Sequence, residues 1–191
     1  MNRLRRFLWS FLRKERVQNT FRKGSTPMSD TSKILVISDV HGRLRELRWL
    51  LDNETADALF YLGDGLYDLD NALESRKTPV PYPIYRVAGN CDTGYQDPTE
   101  GLVPFAGVLF FYTHGHRYQV KWTFSELLET ASARGADVAL FGHTHHSQLV
   151  PGHGVAPTLF NPGSLRDEHR YGVIEVTDGQ CQFSWKRVPE L

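Results

Sequence analysis

The sequence predicts an α/β or layered α+β domain whose regular structure begins at Lys33. From there, apolar runs of strand length alternate with segments whose apolar residues recur at helical spacing. The first run, KILVIS, is continuously apolar, which is typical of a strand buried on both faces. No internal repeat or second domain boundary follows Met28, so we predict one domain over residues 28–191.

The first half of the domain alternates strands and helices. Apolar residues at mostly helical spacing predict a helix after KILVIS, namely Leu44, Leu47, Trp49, Leu50 and Leu51. ALFYL predicts a second strand, a shorter helix follows it to about Arg76, and IYRVA predicts a third strand. VPFAGVLFFYTHG is expected to form two strands joined at Ala106 and Gly107.

The second half is expected to end in antiparallel structure. Residues 124–134 predict a helix with Gly135 as its C-cap, and DVALFG predicts another buried strand. TLFNPGS and YGVIEVTDGQCQFSWKRV are expected to form antiparallel strands, the last pair joined at Asp178 and Gly179. Tyr95, Trp122 and Tyr171 could line a pocket, but we expect each of them to pack in the core.

Charge is distributed unevenly along the chain. Residues 1–27 hold 8 of the 22 basic residues and one of the 22 acidic residues, which leaves 14 basic and 21 acidic residues in the rest. The pattern indicates a basic extension, net +7, attached to an acidic domain, net −7. Because binding to phosphate backbones needs a basic face, we do not expect a nucleic-acid substrate.

The extension leaves several interpretations open. Residues 1–27 are either disordered, a spurious extension before Met28, or an amphipathic helix that makes peripheral contact with an anionic membrane. They also resemble a transit peptide, being rich in Arg and poor in acids. The two cysteines, Cys91 and Cys181, show no CxxC spacing, which favours a reducing compartment and predicts a cytoplasmic protein.

Five predicted strands end in residues that can bind metals. These residues are Asp39 and His41, then Asp64, then Asn90, Cys91 and Asp92, then His114 and His116, then His143 and His145. Taken singly, Asp39 and Asp64 could be helix N-caps and Asn90 a turn residue. The carboxyl ends of strands border the ligand crevice in layered α/β folds, so we expect the whole set to converge.

The donor types indicate which ions would bind. Oxygen and imidazole donors without thiolates favour two divalent ions, manganese first, with iron, zinc, nickel or magnesium as alternatives. His143 and His145, two apart on a predicted extended segment, are expected to point to one side. A carboxylate such as Asp64 can bridge two ions, and ions roughly 3.5–4 Å apart are the usual device for phosphoester hydrolysis.

The ordered series DxH, GD, GNxD, HG and GHTH resembles that of the calcineurin-like metallophosphoesterases. GNCD, THGH and NPGS are similar to the small YfcE-like phosphodiesterases of bacteria and archaea, and the resemblance covers residues 33–188. It implies a four-layer α/β/β/α sandwich with a binuclear site. It implies one metal on Asp39, His41, Asp64 and His145, and another on Asp64, Asn90, His114 and His143. Two roles stay open for the loop of residues 161–164. It either helps to shape the site, as in relatives, or is simply a turn fixed by Pro and Gly.

The resemblance also places Asn90, Cys91 and Asp92 in the catalytic site. Most relatives carry a phosphate-contacting histidine at the position of Cys91, whereas the YfcE-like subfamily carries cysteine. A neutral thiol is a weak donor, so our hypothesis is that the metals carry most of the catalysis. A metal-bridging hydroxide would attack phosphorus in line, Asp92 would orient Cys91, and phosphodiesters with good leaving groups would be preferred.

Other functions stay open at this point. A phosphomonoesterase or nucleotide hydrolase would use the same ligands, and the fold also serves as a retromer-type interaction scaffold in which the metal site is degraded. The expected partner is a small phosphoester, held in an open site because no cap insertion separates the motifs. Association into homo-oligomers stays open.

Overall fold

The computed structural model describes residues 31–189 and 191, so the predicted extension over residues 1–27 lies outside the described part. The strands are β1 (Ser32–Ile37), β2 (Ala58–Tyr61), β3 (Ile84–Arg86), β4 (Glu100–Phe105), β5 (Val108–Thr113), β6 (Val138–Leu140), β7 (Ser147–Val150), β8 (Thr158–Pro162), β9 (Arg170–Thr177) and β10 (Gln180–Arg187). The helices are α1 (Leu44–Asn53), α2 (Leu66–Glu74), α3 (Ser125–Ala133) and a 3₁₀ turn, His116–Tyr118. Within the described residues, every helix is too short or too polar to cross a membrane.

The strands form two five-stranded sheets. The first has the order β10-β9-β1-β2-β3, and the second has the order β4-β5-β6-β8-β7. β1, β2 and β3 are parallel, as are β5, β6 and β8. The predicted site residues follow the carboxyl ends of five of these strands, β1, β2, β3, β5 and β6.

One predicted pairing is wrong in part. TLFNP forms β8, which pairs antiparallel with β7 but parallel with β6. β7, with the sequence SQLV, was not predicted, because four half-polar residues carry little strand signal. The hairpin at Asp178 and Gly179 forms as predicted, and joins β9 to β10.

The alternation of side chains along β1 explains the layers. Ile34 and Val36 point into the core between the two sheets, whereas Leu35 and Ile37 pack against α1 and α2. All four are fully buried, as the continuous apolar run predicts. Because successive strand residues face opposite sides, one apolar strand joins two separate cores.

The second sheet repeats this arrangement with α3. Phe110 points into the core between the sheets, while Phe111 packs with Leu127 and Ala131 of α3. The resulting order of layers is helices, sheet, sheet, helix, which confirms the four-layer α/β/β/α sandwich. Core packing is confirmed for Tyr171, which is 1% exposed.

An ion network joins the end of α1 to the first sheet. Glu54, just after α1, accepts hydrogen bonds from Lys33 of β1 at 2.5 Å, Tyr171 of β9 at 2.6 Å and Lys186 of β10 at 3.2 Å. Burial alone would raise the pKa of Glu54, but these hydrogen bonds lower it from 4.5 to about 2. The folded pKa lies below the unfolded value, so this stabilisation is present above pH 4.5 and is lost as the pH falls towards 2.

Replacing Glu54 tests this network. We expect Glu54→Gln to lower the free energy of unfolding by roughly 1–2 kcal/mol at pH 7, because charge-assisted hydrogen bonds become neutral ones. The difference from wild type should shrink at pH 3, measured by urea unfolding at both pH values. Glu74→Gln, the same change at an exposed position, is the control. An equal difference at both pH values would contradict the assignment.

Candidate metal centre

The loops that carry the predicted metal ligands have an unusual backbone. Five of the predicted ligands have left-handed φ values: Asp39 (54°), His41 (41°), Asp64 (56°), His143 (66°) and His145 (63°). Residues other than glycine seldom adopt this region, and each instance costs roughly 1–3 kcal/mol. Among the described residues nine non-glycine positions have such φ values, and more than half of them are predicted ligands.

This backbone corrects two expectations. His143 and His145 do not lie on an extended segment, because each has a left-handed φ; their rings join the two neighbouring clusters of one centre. Nor are the two aspartates helix N-caps, since Arg43 precedes α1 and Gly65 precedes α2.

The first cluster contains Asp39, His41 and His145, whose ligand atoms lie within 4.8 Å of one another. His145 Nε2 is 3.2 Å from Asp39 Oδ1, and His41 Nε2 is 3.8 Å from the same oxygen. Asp39 is fully buried, and both its Oδ1 and His41 Nε2 are buried with no hydrogen-bond partner. Such groups are costly unless something binds them, so these atoms fit a cation.

The second cluster contains Asp64, His114 and His143, again within 4.8 Å. His114 Nε2 lies 3.3 Å from Asp64 Oδ2 and 3.2 Å from Asn90 Oδ1. On the other side of the ring, His114 Nδ1 donates to the carbonyl of Leu62 at 2.7 Å. A proton on Nδ1 leaves the lone pair of Nε2 facing the cluster, as metal ligation requires.

A single carboxylate oxygen lies between the two clusters. Asp64 Oδ2 is 3.3 Å from His114 Nε2 and 3.6 Å from His41 Nε2. Its other oxygen, Oδ1, accepts the backbone N–H of Cys91 at 2.8 Å. Burial opposes ionisation of Asp64, but the adjacent His114 ring and the backbone N–H of Cys91 lower its pKa, so Asp64 is a carboxylate.

Asp92 holds the backbone around Asp64. Its carboxylate accepts four N–H groups, from Asp64 (2.7 Å), Gly89 (2.8 Å), Leu66 (2.8 Å) and Gly65 (2.9 Å). Two of these groups belong to the start of α2, where backbone donors lack helical partners. The structure therefore shows a positioning contact with Asp64, while the catalytic assignment of Asp92 stays a prediction.

Close backbone approach also positions the ligands. A Cβ on Gly89 would lie 2.1 Å from Asp64 Oδ1, and one on Gly142 would lie 1.9 Å from Ser38 Oγ. Both glycines are needed because the ligand loops touch there without room for a side chain. Ser38 in turn donates to Asp39 Oδ2 at 2.7 Å, which leaves Oδ1 for the cluster.

The thiol of Cys91 lies at the edge of this centre. Cys91 is exposed, and its sulfur lies within 4.8 Å of ligand atoms of His41 and Asp64. Partial desolvation and the Asp64 carboxylate raise the pKa of Cys91, so the group is a neutral thiol at pH 7. Asn90 Nδ2 donates to the sulfur at 3.3 Å. The arrangement places a weak hydrogen-bond donor beside both clusters.

The histidines of the two clusters differ in charge. The Asp39 carboxylate, whose Oδ1 lies 3.2 Å from Nε2, and the hydrogen bond to Asp167 raise the pKa of His145 to about 9, against its partial burial. Burial, the adjacent His114 ring and the charge of Lys121 lower the pKa of His143 to about 4. A cation that binds His145 must displace a proton, so metal binding here should release protons.

Several supporting residues lie outside the predicted site. Asp167 hydrogen-bonds to His145 Nδ1, and no sequence motif marked it. Asn161 donates to Gly142 O and Thr144 Oγ1, both at 3.0 Å, and so supports the loop that carries His143 and His145. The segment of residues 161–164, which begins at the end of β8, therefore supports the site. Of the further histidines, His116 lies beside His114, with ring centroids 5.4 Å apart and the ring planes tilted by 51°.

Comparisons of sequence support a specific class of site. The family model described as the calcineurin-like phosphoesterase superfamily domain matches residues 33–179. A probable metallophosphoesterase of Bacillus subtilis (strain 168), YsnB, is 33% identical over 135 residues, which cover 70% of this chain and 75% of that protein.

Solved structures show the same architecture. A Streptococcus pneumoniae TIGR4 protein described as a predicted phosphoesterase superposes with a TM-score of 0.68 and 25% identity, covering 83% of this chain and 90% of that one. Vacuolar protein sorting 29 of Cryptosporidium parvum gives 0.64 and 15%, covering 82% and 97%. An archaeal phosphodiesterase gives 0.58 and 20%, covering 81% and 98%. The last two identities are too low to show more than the fold.

The role of Asp92 can be tested by one substitution. We expect Asp92→Asn to weaken manganese binding by roughly 10–100-fold, because the new amide NH₂ cannot accept the N–H groups that orient Asp64. Isothermal titration with Mn²⁺ measures the affinity, and circular dichroism checks the fold. Asp178→Asn, in the exposed turn between β9 and β10, is the matched control. Unchanged affinity in Asp92→Asn would contradict the positioning role.

Proposed function

The chain belongs to the calcineurin-like phosphoesterase superfamily, and from that premise we propose that it is a phosphodiesterase that uses two divalent ions. One observation carries the proposal: Asp64 Oδ2 lies 3.6 Å from His41 Nε2 and 3.3 Å from His114 Nε2. A carboxylate oxygen shared in this way can serve two ions at once.

The residues present fit this pair of ions. One would be held by Asp39, His41, Asp64 and His145, and the other by Asp64, Asn90, His114 and His143. The unpartnered atoms Asp39 Oδ1 and His41 Nε2 support the first site. Oxygen and imidazole donors suit hard-to-borderline cations, so we propose Mn²⁺, with iron, zinc, nickel or magnesium as alternatives.

The ions would supply Lewis acidity, which activates a water for in-line attack and neutralises charge on the phosphoryl group. The chain supplies the geometry around them. Asp92 and the N–H of Cys91 orient Asp64, and Asp167 holds the ring of His145. Such outer contacts fix the ligand orientation before substrate binds.

The neutral thiol of Cys91 decides the proposed substrate preference. A thiol is a weak hydrogen-bond donor, so it stabilises a departing alkoxide less than an imidazolium would. Substrates with good leaving groups should therefore be favoured. A diester also brings one negative charge, rather than two, to a domain of net charge −7 over residues 28–191. Both arguments favour phosphodiesters over alkyl monoesters.

The alternatives make different demands on the site. An interaction scaffold has no need of buried unpartnered ligand atoms or of strained ligand loops, so the complete donor set favours an enzyme. A phosphomonoesterase would use the same donors and differs only in substrate. The relative rates of monoester and diester hydrolysis distinguish these two enzymes.

Hydrolysis of an aryl phosphodiester beside its aryl monoester tests the proposal. With added Mn²⁺ we expect faster cleavage of the diester, and loss of both activities after chelation, because the ions supply the Lewis acidity. Release of p-nitrophenolate from bis(p-nitrophenyl) phosphate and from p-nitrophenyl phosphate measures both rates. Faster monoester cleavage would contradict the substrate assignment, and the absence of metal-dependent activity would favour the scaffold.

Cys91→His is the informative variant in the same assay. An imidazolium beside the phosphoryl group would stabilise a dianionic monoester more than a monoanionic diester, so this change should shift the relative rates towards the monoester while Mn²⁺ affinity stays close to that of wild type. Cys181→His, at the other free cysteine, is the control. Unchanged relative rates in Cys91→His would contradict the role assigned to the thiol.

A further inference from the structure

A groove of about 670 Å³ runs along the surface beside the loop that carries His143 and His145. Its lining includes Lys121, Trp122 and Phe124 on one side, and Thr144, His146 and Gln148 on the other. Thr144 is the residue between the two predicted ligands, so the groove adjoins the loop that carries them. Nothing in the proposed chemistry uses the groove.

Trp122 is the most unusual residue in this groove. Its side chain is 88% exposed, which corrects the expectation that it packs in the core. Tryptophan is highly buried on average, because its ring is the largest apolar side chain. A ring left in water next to a candidate active site presents a free aromatic face.

The backbone that carries Trp122 is held in place by contacts on both sides. The N–H of Trp122 donates to Gln119 O at 2.9 Å, which closes the turn after the 3₁₀ helix. Two residues later, Phe124 packs on Phe141 of the core, with ring centroids 5.2 Å apart. The backbone of the turn is therefore held on both sides while the indole stays exposed.

The groove also carries charge and polar edges. Lys121 lines the groove together with Thr144, the residue between His143 and His145. In an acidic domain, a lysine there attracts an anionic phosphate towards the metal centre. His146, with its side chain 81% exposed, and Gln148 provide hydrogen-bonding groups on the opposite side.

We propose that this groove is a recognition subsite for a planar, nucleobase-like ring on the ester group that stays attached to phosphorus. Trp122 stacks on the ring, and the polar edge at His146 and Gln148 hydrogen-bonds to its carbonyl and amine groups. Lys121 attracts the phosphate that joins the ring to the metal centre. A phenyl ring offers the same face without the polar edge. The inference rests on the proposed phosphodiesterase function.

Three diesters with the same leaving group test the subsite. They are methyl p-nitrophenyl phosphate, phenyl p-nitrophenyl phosphate and thymidine 5′-(p-nitrophenyl) phosphate, assayed with Mn²⁺-loaded protein. All three release p-nitrophenolate, so differences in kcat/KM report the retained group. We expect the thymidine diester to be the best substrate and the methyl diester the poorest.

Substitutions at Trp122 and Lys121 distinguish stacking on the ring from electrostatic attraction of the phosphate. We expect Trp122→Ala to reduce the preference for thymidine over methyl by roughly tenfold, mainly through KM, and Trp122→Phe to keep most of it. Lys121→Ala should lower kcat/KM for both substrates alike. Lys77→Ala, an exposed lysine away from this groove, should change neither.

The outcomes distinguish this inference from the proposed function. If all three diesters are cleaved and Trp122→Ala keeps the wild-type preference, the subsite is overturned and the phosphodiesterase stands. If the phenyl diester is hydrolysed with the same kcat/KM as the thymidine diester, His146 and Gln148 do not recognise the ring. That result would overturn the nucleobase assignment. If none of the diesters is cleaved with any divalent ion, the proposed function and the subsite are both overturned.

Discussion

The position of one oxygen atom, Asp64 Oδ2, constrains most of the structure around it. This oxygen must lie between His41 and His114, which come from different sheets of the sandwich. Four N–H bonds to Asp92 hold the surrounding backbone. Gly89 is required beside it because a side chain there would occupy the place of the carboxylate. A shift of this loop would disturb both clusters together.

The sandwich supplies the rigidity that such a site needs. Several ligand residues have left-handed backbone conformations, each unfavourable by roughly 1–3 kcal/mol, and unpartnered polar atoms add a further cost. Three apolar cores on the faces of the two sheets offset these terms. Parallel strands then bring the ligand loops of both sheets to one end of the molecule. A bound cation would relieve the remaining electrostatic cost.

The sequence predicted the parts of this arrangement that depend on local pattern. The apolar run of β1 and the turn at Ala106 and Gly107 formed as expected, because burial and turn chemistry are visible in neighbouring residues. The strand-end motifs marked residues that the structure brings together in two clusters, because parallel strands of a layered fold end at one edge. The resemblance, more than spacing, grouped the ligands into two sets.

Contacts between distant residues could not be predicted. Asp167 reaches His145 across 22 positions, and Asp92 reaches the start of α2 across 26 to 28 positions. Trp122 was expected in the core because its residue type is usually buried, whereas its turn projects it into water. The left-handed loops at His143 and His145 replaced the predicted extended segment, since tertiary contacts overrode local preference.

The most direct test of the shared carboxylate is electron paramagnetic resonance of the protein loaded with two equivalents of Mn²⁺. Two ions joined through Asp64 should give the broadened spectrum of an exchange-coupled pair. Asp64→Ala should remove that coupling. A wild-type spectrum that is the simple sum of two isolated Mn²⁺ ions, or of one bound and one free ion, would contradict the account.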